Sequence, residues 1–316
     1  MECVEILVDH PSVDPSIQNN YVFRTIVDSG SAKLVKKLLN DPRVDPSSAN
    51  QEAFFNSVRA RRKSIVKILL EDSRIDPTIN SNQSLLFAAM LGNFEIVELL
   101  LKDSRVNPAL DDCKAIQIAS SNGHVDVVTA LLQDNRVDPS ANDNNSFKSA
   151  AKNGHIQVVC VLLKDHRVDP TADGCFAFRK AVYNGNVALV KELLLDSRVD
   201  PTIHDSYPVR IACLQGHYEI AALLLKDQRI SVHPDCLNNA IESGNMDIVQ
   251  LLLTRVVPDN QSLKYAVQVG KSNITQLLLK DKRLDPKITE YYSKLLRKNE
   301  RVVGLVSTII DMFSRK

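Results

Sequence analysis

The sequence contains no tryptophan, and aromatic residues make up only 5% of it. Hydrophobic residues nevertheless account for 44%, so the apolar content is mostly aliphatic, as packing between helices would favour. The 316 residues exceed the size of an ordinary single core. We therefore expect either several domains or an open-ended repeat array.

An excess of charge of either sign is also missing, since 39 basic residues stand against 38 acidic ones. A chain-wide attraction to nucleic acid or to anionic lipid is therefore not expected. The N-terminus lacks the basic residues and the apolar core of a signal peptide. The longest apolar run near the C-terminus, from Val302 to Ile310, is too short to span a membrane. We expect a soluble, intracellular and monomeric protein, in either the cytosol or the nucleus.

Recognisable catalytic and cofactor motifs are absent as well. The sequence has no glycine-rich phosphate loop, no GxSxG elbow and no HExxH helix, so we predict neither an enzyme nor a small-molecule substrate. His233 and Cys236 have metal-like spacing, but a zinc site needs a second pair of ligands and none is apparent, so we predict no metal and no cofactor. The cysteines include no CxxC pair, which is typical of idle thiols in a reducing compartment. They are Cys3, Cys113, Cys160, Cys175, Cys213 and Cys236.

Proline and glycine, which interrupt helices, each recur with a period of 31 residues. The prolines end variants of Arg-Val-Asp-Pro, and they are Pro15, Pro46, Pro77, Pro108, Pro139, Pro170 and Pro201. Glycines follow the same period at Gly30, Gly92, Gly123, Gly154, Gly185 and Gly216. A fixed period of this length indicates stacked structural repeats.

Residues 145–166 show the pattern within one repeat. Phe147, Ala150 and Ala151 form one helical face, which ends at Gly154, a residue suited to reversing the chain. A second apolar face follows at Val158, Val159, Leu162 and Leu163. Each repeat therefore has the order helix, turn, helix and loop, and such a pair becomes stable only by stacking on its neighbours.

These motifs resemble those of ankyrin repeats. Residues 122–128, Asn-Gly-His-Val-Asp-Val-Val, followed by Leu131 and Leu132, are similar to the NGHxxVVxxLL signature of that family. The family's small residue in the first helix is matched by Ala88, Ala119, Ala150, Ala181, Ala212, Ala240 and Ala266. The period is shorter than the family's usual length, and its Thr-Pro-Leu-His opening is largely lost. The resemblance implies an all-α helix-turn-helix solenoid with short loops, which acts as a non-enzymatic scaffold for protein–protein interaction.

We expect a single array over residues 1–316. It consists of a partial repeat over 1–11, nine repeats over 12–282 and a C-terminal capping repeat over 283–316. The last two of the nine repeats turn at Gly244 and Gly270, and each has lost three residues before its first helix. The polar residues expected on the cap are Lys294, Arg297, Lys298, Glu300 and Arg301. Met1 falls in mid-repeat, so either the chain is a fragment of a longer array or a partner covers that end.

The residue six positions before each turn glycine defines a first candidate surface. Lys148, Arg179 and Arg210 occupy this position in three consecutive repeats and could form a basic strip that reads an acidic or phosphorylated segment. Alternatively, each of these side chains could bond a neighbouring loop and stabilise the stack.

The loop tips form a second candidate surface, because they vary between repeats while the helices do not. The candidate contacts at the tips are Asp111, Asn142, Asp173 and His204. Apolar candidates near the turns, which would suit a groove, are Met90, Leu91, Tyr183 and Leu214. The favoured hypothesis is a partner protein or extended peptide bound by the concave face and the tips. The alternative is a substrate-recognition adaptor arm of a larger assembly such as a modifying-enzyme complex, with its docking motif in residues 283–316.

Three regular features have structural interpretations. His124, His155 and His217 follow the turn glycines, and we expect them to close the turn by hydrogen bonding rather than to catalyse. An Asp and an Arg two residues apart precede each proline, and we expect them to tie one repeat's loop to the next. These pairs are Asp72/Arg74, Asp103/Arg105, Asp134/Arg136, Asp165/Arg167, Asp196/Arg198 and Asp227/Arg229. Arg61 replaces the turn glycine, so we expect a positive φ there and a gain of about 1 kcal/mol from Arg61→Gly.

Overall fold

A computed structural model describes His10 and residues 13–295. All regular structure within these ranges is helical, and the helices alternate between a first and a second member of each repeat. In the first five repeats they are α1 Ile17–Ser29, α2 Ala32–Leu39, α3 Ser48–Arg59, α4 Lys63–Leu70, α5 Ile79–Met90, α6 Phe94–Lys102, α7 Leu110–Ser121, α8 Val125–Leu132, α9 Ala141–Lys152 and α10 Ile156–Leu163. They continue as α11 Ala172–Tyr183, α12 Val187–Leu194, α13 Ile203–Leu214, α14 Tyr218–Leu224, α15 Asp235–Ser243, α16 Met246–Leu253, α17 Asn260–Gln268 and α18 Ser272–Leu279. Residues 286–295 are also helical. This architecture confirms the predicted all-α helix-turn-helix solenoid.

The second helices are short and bury one narrow face. In α8, Val127, Val128 and Leu131 are buried, as spacing along a helix requires. Polar residues before several of these helices cap the free N–H groups, as when the Asn93 side chain accepts from the Ile96 N–H at 3.3 Å. No helix in the described part of the chain is long and apolar enough to cross a membrane.

The turn glycines reverse the chain through left-handed backbone. Gly123 and Gly154 have φ values of 77° and 78°. Space also restricts Gly123, because a Cβ built on it would lie 2.6 Å from the Nδ1 atom of His155 in the next repeat. Arg61 stands at the equivalent turn with φ 57°, which confirms the predicted positive φ.

Each first helix from α1 to α13 that opens a full-length repeat includes three consecutive residues with positive φ. We call these three residues the tip triplet. The triplets are 18–20, 49–51, 80–82, 111–113, 142–144, 173–175 and 204–206. Asparagine and aspartate are frequent among them, and these residues tolerate left-handed backbone better than most. The right-handed part of each first helix follows the triplet.

The two shorter repeats lack the triplet. α15 begins directly after Pro234, and α17 begins after Asp259. The Asp259 carboxylate accepts from the N–H of Ser262 at 2.7 Å and so caps α17 in the ordinary way. The three residues predicted to be missing from these repeats are therefore the left-handed turn.

The chain divides into two compact units, residues 1–177 and 178–316. In unit 1, the first helices α1, α3, α5, α7 and α9 pack in sequence, and the second helices α2, α4, α6, α8 and α10 do the same. Phe23, Phe54 and Phe147 are fully buried in its core. In unit 2, α13, α15 and α17 pack in sequence, as do α12, α14, α16 and α18. A single array over 1–316 remains a prediction.

Two predictions about the ends concern residues that the structure leaves out. The partial repeat over 1–11 lies outside the described residues except for His10. The cap over 283–316 is described as far as residue 295, where Lys294 pairs with Glu290 at 2.7 Å. The other polar residues expected on the cap, and most of the region proposed for a docking motif, lie outside the described ranges.

Candidate functional site

The Asp and Arg residues before the prolines connect successive repeats. The Nε and Nη2 atoms of Arg136 donate to the Asp134 carboxylate at 2.9 and 2.6 Å, while Nη1 donates to the Val106 carbonyl of the preceding repeat at 3.0 Å. Equivalent carbonyl bonds join Arg74 to Val44, Arg105 to Ile75 and Arg167 to Val137 at 2.8, 2.7 and 2.9 Å. We call this series the Asp–Arg ladder. It confirms the structural interpretation for these four pairs, while Asp196/Arg198 and Asp227/Arg229 form the same ion pair at 2.7 and 2.6 Å.

Pairing within the ladder changes the acidity of both partners. Hydrogen bonds from the Arg136 side chain hold the pKa of Asp134 below its ordinary value, and the same bonds raise the pKa of Arg136. Asp72, Asp103 and Asp165 have lowered pKa values for the same reason. These carboxylates therefore remain ionised, which suits a structural role and not proton transfer.

The histidines after the turn glycines bond to the repeat before their own. The Nε2 atom of His124 lies 2.9 Å from the Met90 carbonyl oxygen, and that of His155 lies 3.0 Å from the Ser121 carbonyl oxygen. In unit 2, His217 makes the equivalent contact with the Tyr183 carbonyl at 3.1 Å. The predicted hydrogen-bonding role is confirmed, and the partner is the preceding turn.

The third residue of each tip triplet is buried, and in the five triplets from 18–20 to 142–144 its side chain bonds to the next loop. The Oδ1 atom of Asn144 accepts from the Asp169 N–H at 2.8 Å, and that of Asn20 accepts from the Asp45 N–H at 3.0 Å. Cys113 fills the same position with its sulfur 3.2 Å from the Asp138 nitrogen. Sequence reasoning missed this role, although polar or thiol side chains recurring every 31 residues were the available signal.

The predicted tip contacts all occupy the first position of a triplet, and all are exposed. They are Asp111, Asn142, Asp173 and His204, with φ between 49° and 54°. Because the third residue is committed to the stack, only the first two residues of each tip face solvent. The tips therefore offer a narrower contact surface than their variability suggests.

The three residues of the predicted basic strip lie in both units. In unit 1, Lys148 is 17% exposed, and its Nζ atom lies 2.6 Å from the Asp143 carboxylate of its own tip. In unit 2, Arg179 is half-buried, and the Nη1 atom of Arg210 lies 3.9 Å from the Asp235 carboxylate. The Lys148 pair lies within one repeat, whereas the stabilising alternative predicts a bond to a neighbouring loop; the Arg210–Asp235 contact does reach the next repeat. Partner binding by the strip remains a prediction.

Lys148 also lines an open cleft of about 250 Å³ within unit 1. We call it the α9–α11 cleft. One side of it is formed by a single face of α9, with Asn145, Lys148, Ser149 and Lys152, and the other by Asp173 and Phe176 near the start of α11. The Asn145 amide donates to Gln117 at 2.8 Å and the Ser149 hydroxyl donates to Asn145 at 3.3 Å, so the donors that this lining offers a ligand are the lysine ammonium groups beside the Phe176 ring. Ammonium groups suit carboxylates and peptide carbonyls. Of these residues the sequence analysis selected only Lys148 and Asp173, although helical spacing from Lys148 was the signal for the others.

The apolar candidates lie at the ends of first helices. In unit 1, Met90 is the last residue of α5 and is 42% exposed, while Leu91 beside it is half-buried. In unit 2, Tyr183 ends α11 and is 50% exposed, with the Lys180 ammonium 5.3 Å from its ring centroid. Leu214, which ends α13, is half-buried. Met90 and Tyr183 therefore present the larger apolar surfaces.

Within the described ranges, no group of three or more His, Cys, Asp or Glu side chains is arranged to hold a metal ion. His233 instead lies 3.1 Å from the Asp235 carboxylate, and Cys236 is fully buried. His233 and Cys236 therefore belong to no such group in the described part of the chain.

Comparison with known proteins gives one family. A family model described as ankyrin repeats (3 copies) matches residues 23–112, 85–174, 149–235 and 178–255, which together span residues 23–255 of the 316. No curated protein matches the chain.

Proposed function

Because the chain belongs to the ankyrin-repeat family, whose repeats generally serve as protein–protein interaction modules, we propose that it binds an extended segment of a partner protein. Binding uses the side formed by the first helices and the tips, and it involves no chemical step and no cofactor. The α9–α11 cleft is the observation that carries this proposal. It combines hydrogen-bond donors with one apolar ring in a groove that a peptide chain fits.

The chemistry of the cleft selects the partner segment. Lys148 and Lys152 lie one helical turn apart on α9, so both ammonium groups face the same stretch of a bound chain. An acidic segment meets them most favourably, with a carboxylate taking the place of Asp143 beside Lys148. Phe176 then supports an apolar side chain of the same segment.

The neighbouring candidates extend the proposed surface within each unit. In unit 1 they are the exposed tip residues Asp111, Asn142 and Asp173 and the apolar residues Met90 and Leu91. In unit 2 they are Arg179, Arg210, Tyr183, Leu214 and His204. Multi-repeat contact of this kind gains affinity from a rigid scaffold, because little conformational freedom is lost on binding.

Affinity purification from native cells tests the proposal. The variant Lys148→Glu/Lys152→Glu reverses the cleft charge, and Lys36→Glu/Lys67→Glu makes the same change at exposed positions of the second helices α2 and α4. We expect the cleft variant to lose a partner that the control retains. A partner set shared by wild type and a folded cleft variant would contradict the proposal.

The variant Asp143→Asn is expected to increase the affinity for the partner. It removes the carboxylate that competes for Lys148, and asparagine tolerates the left-handed backbone of the tip. Because an exposed ion pair contributes roughly 0.2–1 kcal/mol, we expect the purified partner to bind up to about fivefold more tightly. Isothermal titration calorimetry measures the change, and weaker binding would show that Asp143 is itself a contact.

A further inference from the structure

The loss of the tip triplet changes the surroundings of one lysine in unit 2. Lys264 lies six residues before Gly270, as Lys148 lies six residues before Gly154. Lys148 pairs with Asp143 of its own tip, but the repeat of α17 has no tip triplet, and Asp259 is bound to Ser262 as a helix cap. Lys264 is exposed, and it makes no ion pair with any residue that the structure describes.

Lys264 borders a cleft of about 300 Å³ between α17 and the helical residues 286–295. We call it the α17 cleft. Its other lining residues are Asn260, Gln261, Lys287, Ile288, Tyr291 and Tyr292. The rings of Tyr291 and Tyr292 meet edge to face with centroids 5.1 Å apart, and Tyr291 is 62% exposed. The cleft therefore has an aromatic wall that no described residue covers.

The charge on this cleft has one sign. Its lining includes Lys264 and Lys287 but no carboxylate, and Lys287 likewise makes no ion pair among residues 13–295. The acids closest to Lys287 along the chain have other partners, because Asp285 accepts from the Lys287 backbone N–H at 2.8 Å and Glu290 pairs with Lys294 at 2.7 Å. The α9–α11 cleft differs in this respect, since Asp173 lines it and Asp143 already binds its lysine.

We propose that the α17 cleft is a second docking site, which takes a short acidic peptide segment carrying an apolar side chain between its carboxylates. The carboxylates bind Lys264 and Lys287, and the apolar side chain packs on Ile288 and the ring of Tyr291. Charge complementarity attracts the carboxylates to the two lysines. Burial of the apolar side chain against the exposed aromatic surface adds to the affinity, and a small inorganic anion has no apolar group that could make this contact. The proposal rests on the proposed function only in that the ligand is a protein segment.

A defined peptide tests this site on the full chain. The probe is the fluorescein-labelled peptide Glu-Glu-Leu-Glu-Glu-Leu, and its binding is followed by fluorescence anisotropy. One comparison peptide has glutamine in place of each glutamate, and another has serine in place of each leucine. We expect saturable binding of the first peptide and clearly weaker binding of both comparison peptides, because the site uses charge and apolar contact together.

Two double variants locate the binding. Lys264→Glu/Lys287→Glu reverses both charges of the α17 cleft, and Lys280→Glu/Lys282→Glu makes the same charge change in the loop after α18, outside its lining. We expect about a tenfold loss of affinity in the first variant and wild-type affinity in the second. Circular dichroism and thermal melting confirm that both variants fold.

Several outcomes would overturn the proposal. They are absence of peptide binding by the wild-type chain, retained affinity in the cleft variant, and equal weakening in both double variants. Equal affinity for the leucine and serine peptides would show that the lysines attract any anion. The proposed function is tested by a different experiment, the affinity purification with the Lys148→Glu/Lys152→Glu variant. Failure of the peptide measurement therefore does not contradict the proposed function, and failure of the affinity purification does not contradict the α17 cleft as a peptide site.

Discussion

Asparagine and aspartate recur at the tips because three successive residues there have positive φ. A left-handed residue costs an ordinary L-amino acid about 1–2 kcal/mol, and asparagine and aspartate lower that cost through local hydrogen bonds. Ala49 and Gln51 have φ values of 51° and 60° without the same advantage. Gln51 recovers part of the cost because its Oε1 atom accepts from the Asp76 N–H at 2.8 Å. Ala49 has no polar side-chain atom with which to do so.

We therefore predict that Ala49→Gly stabilises the chain. Glycine removes the left-handed strain but loses more conformational entropy on folding. The free energy of unfolding should therefore rise by about 0.5–1 kcal/mol. Arg61→Gly removes similar strain at φ 57°, but it also removes the bond from Arg61 to the Leu91 carbonyl, so its gain should be smaller. Urea unfolding of both variants measures the difference. A larger gain at Arg61 would show that its side-chain bond contributes nothing.

The sequence was sufficient for some residues and not for others. The period alone placed Arg61 at a glycine position, so its positive φ followed directly. Nothing in the local sequence indicated that Asn144 is buried, because its acceptor role depends on the Asp169 N–H, 25 residues away in the next loop. That bond also offsets the strain of the left-handed turn, which is why a sequence that disfavours such a turn locally still adopts it.

At the scale of the turn between two helices, glycine and histidine from successive repeats fit against each other. The His155 ring covers Gly123, and the His124 ring covers Gly92 in the same way. At Gly270 no atom of the described residues beyond its own turn lies within 4 Å of a built Cβ, although φ is 74°. These turns share one backbone conformation and differ in what covers them.

We predict that Gly270→Ala costs about 1 kcal/mol of unfolding free energy, which is the backbone cost alone. Gly123→Ala should cost more, because its Cβ displaces the His155 ring and weakens the bond from His155 to the Ser121 carbonyl. Chemical denaturation measures both. The double variant Gly123→Ala/His155→Ala should lose less than the sum of the two single variants, since the clash no longer exists. Strict additivity would contradict the predicted contact.

Helix pairs were the most predictable elements, because apolar spacing and turn glycines mark them independently. The buried residues Phe147, Ala150 and Ala151 of α9 occupy the face that the sequence predicted. The two clefts were less predictable, since each depends on which side chains of neighbouring repeats lie opposite one another. At Lys264 the decisive feature is the absence of a tip, because the partner of Lys148 in the α9 repeat is the tip residue Asp143.

At the scale of the whole molecule, the Asp–Arg ladder makes stability depend on pH. Its carboxylates have folded pKa values below their unfolded values, because each accepts hydrogen bonds from an arginine. Such a group contributes stability that is present above the unfolded pKa, near 4, and is lost as the pH falls through the folded pKa. Repetition of the same pair in successive repeats adds these contributions together.

We predict that titration of these carboxylates leaves the urea midpoint unchanged with pH near neutrality, and that the midpoint falls as the pH drops below about 4. Asp134→Asn should lower the midpoint at neutral pH, because asparagine carries no charge and has one acceptor oxygen for the two bonds that the Nε and Nη2 atoms of Arg136 donate to Asp134. The difference between wild type and variant should then shrink in acid, where Asp134 is protonated. A difference that stays constant down to pH values well below 4 would show that the charge of Asp134 does not stabilise the fold.

The acceptors in the ladder and in the histidine contacts belong to the main chain. Arg136 binds the carbonyl of Val106, and His155 binds that of Ser121, and a carbonyl group is present whatever side chain stands at either position. A repeat that carries its own arginine and histidine can therefore form these bonds with any predecessor of the same backbone. Apart from the turn glycine that the histidine ring covers, these bonds require no matching side chain in the preceding repeat, so the residues that the array displays can change independently of the bonds that join it.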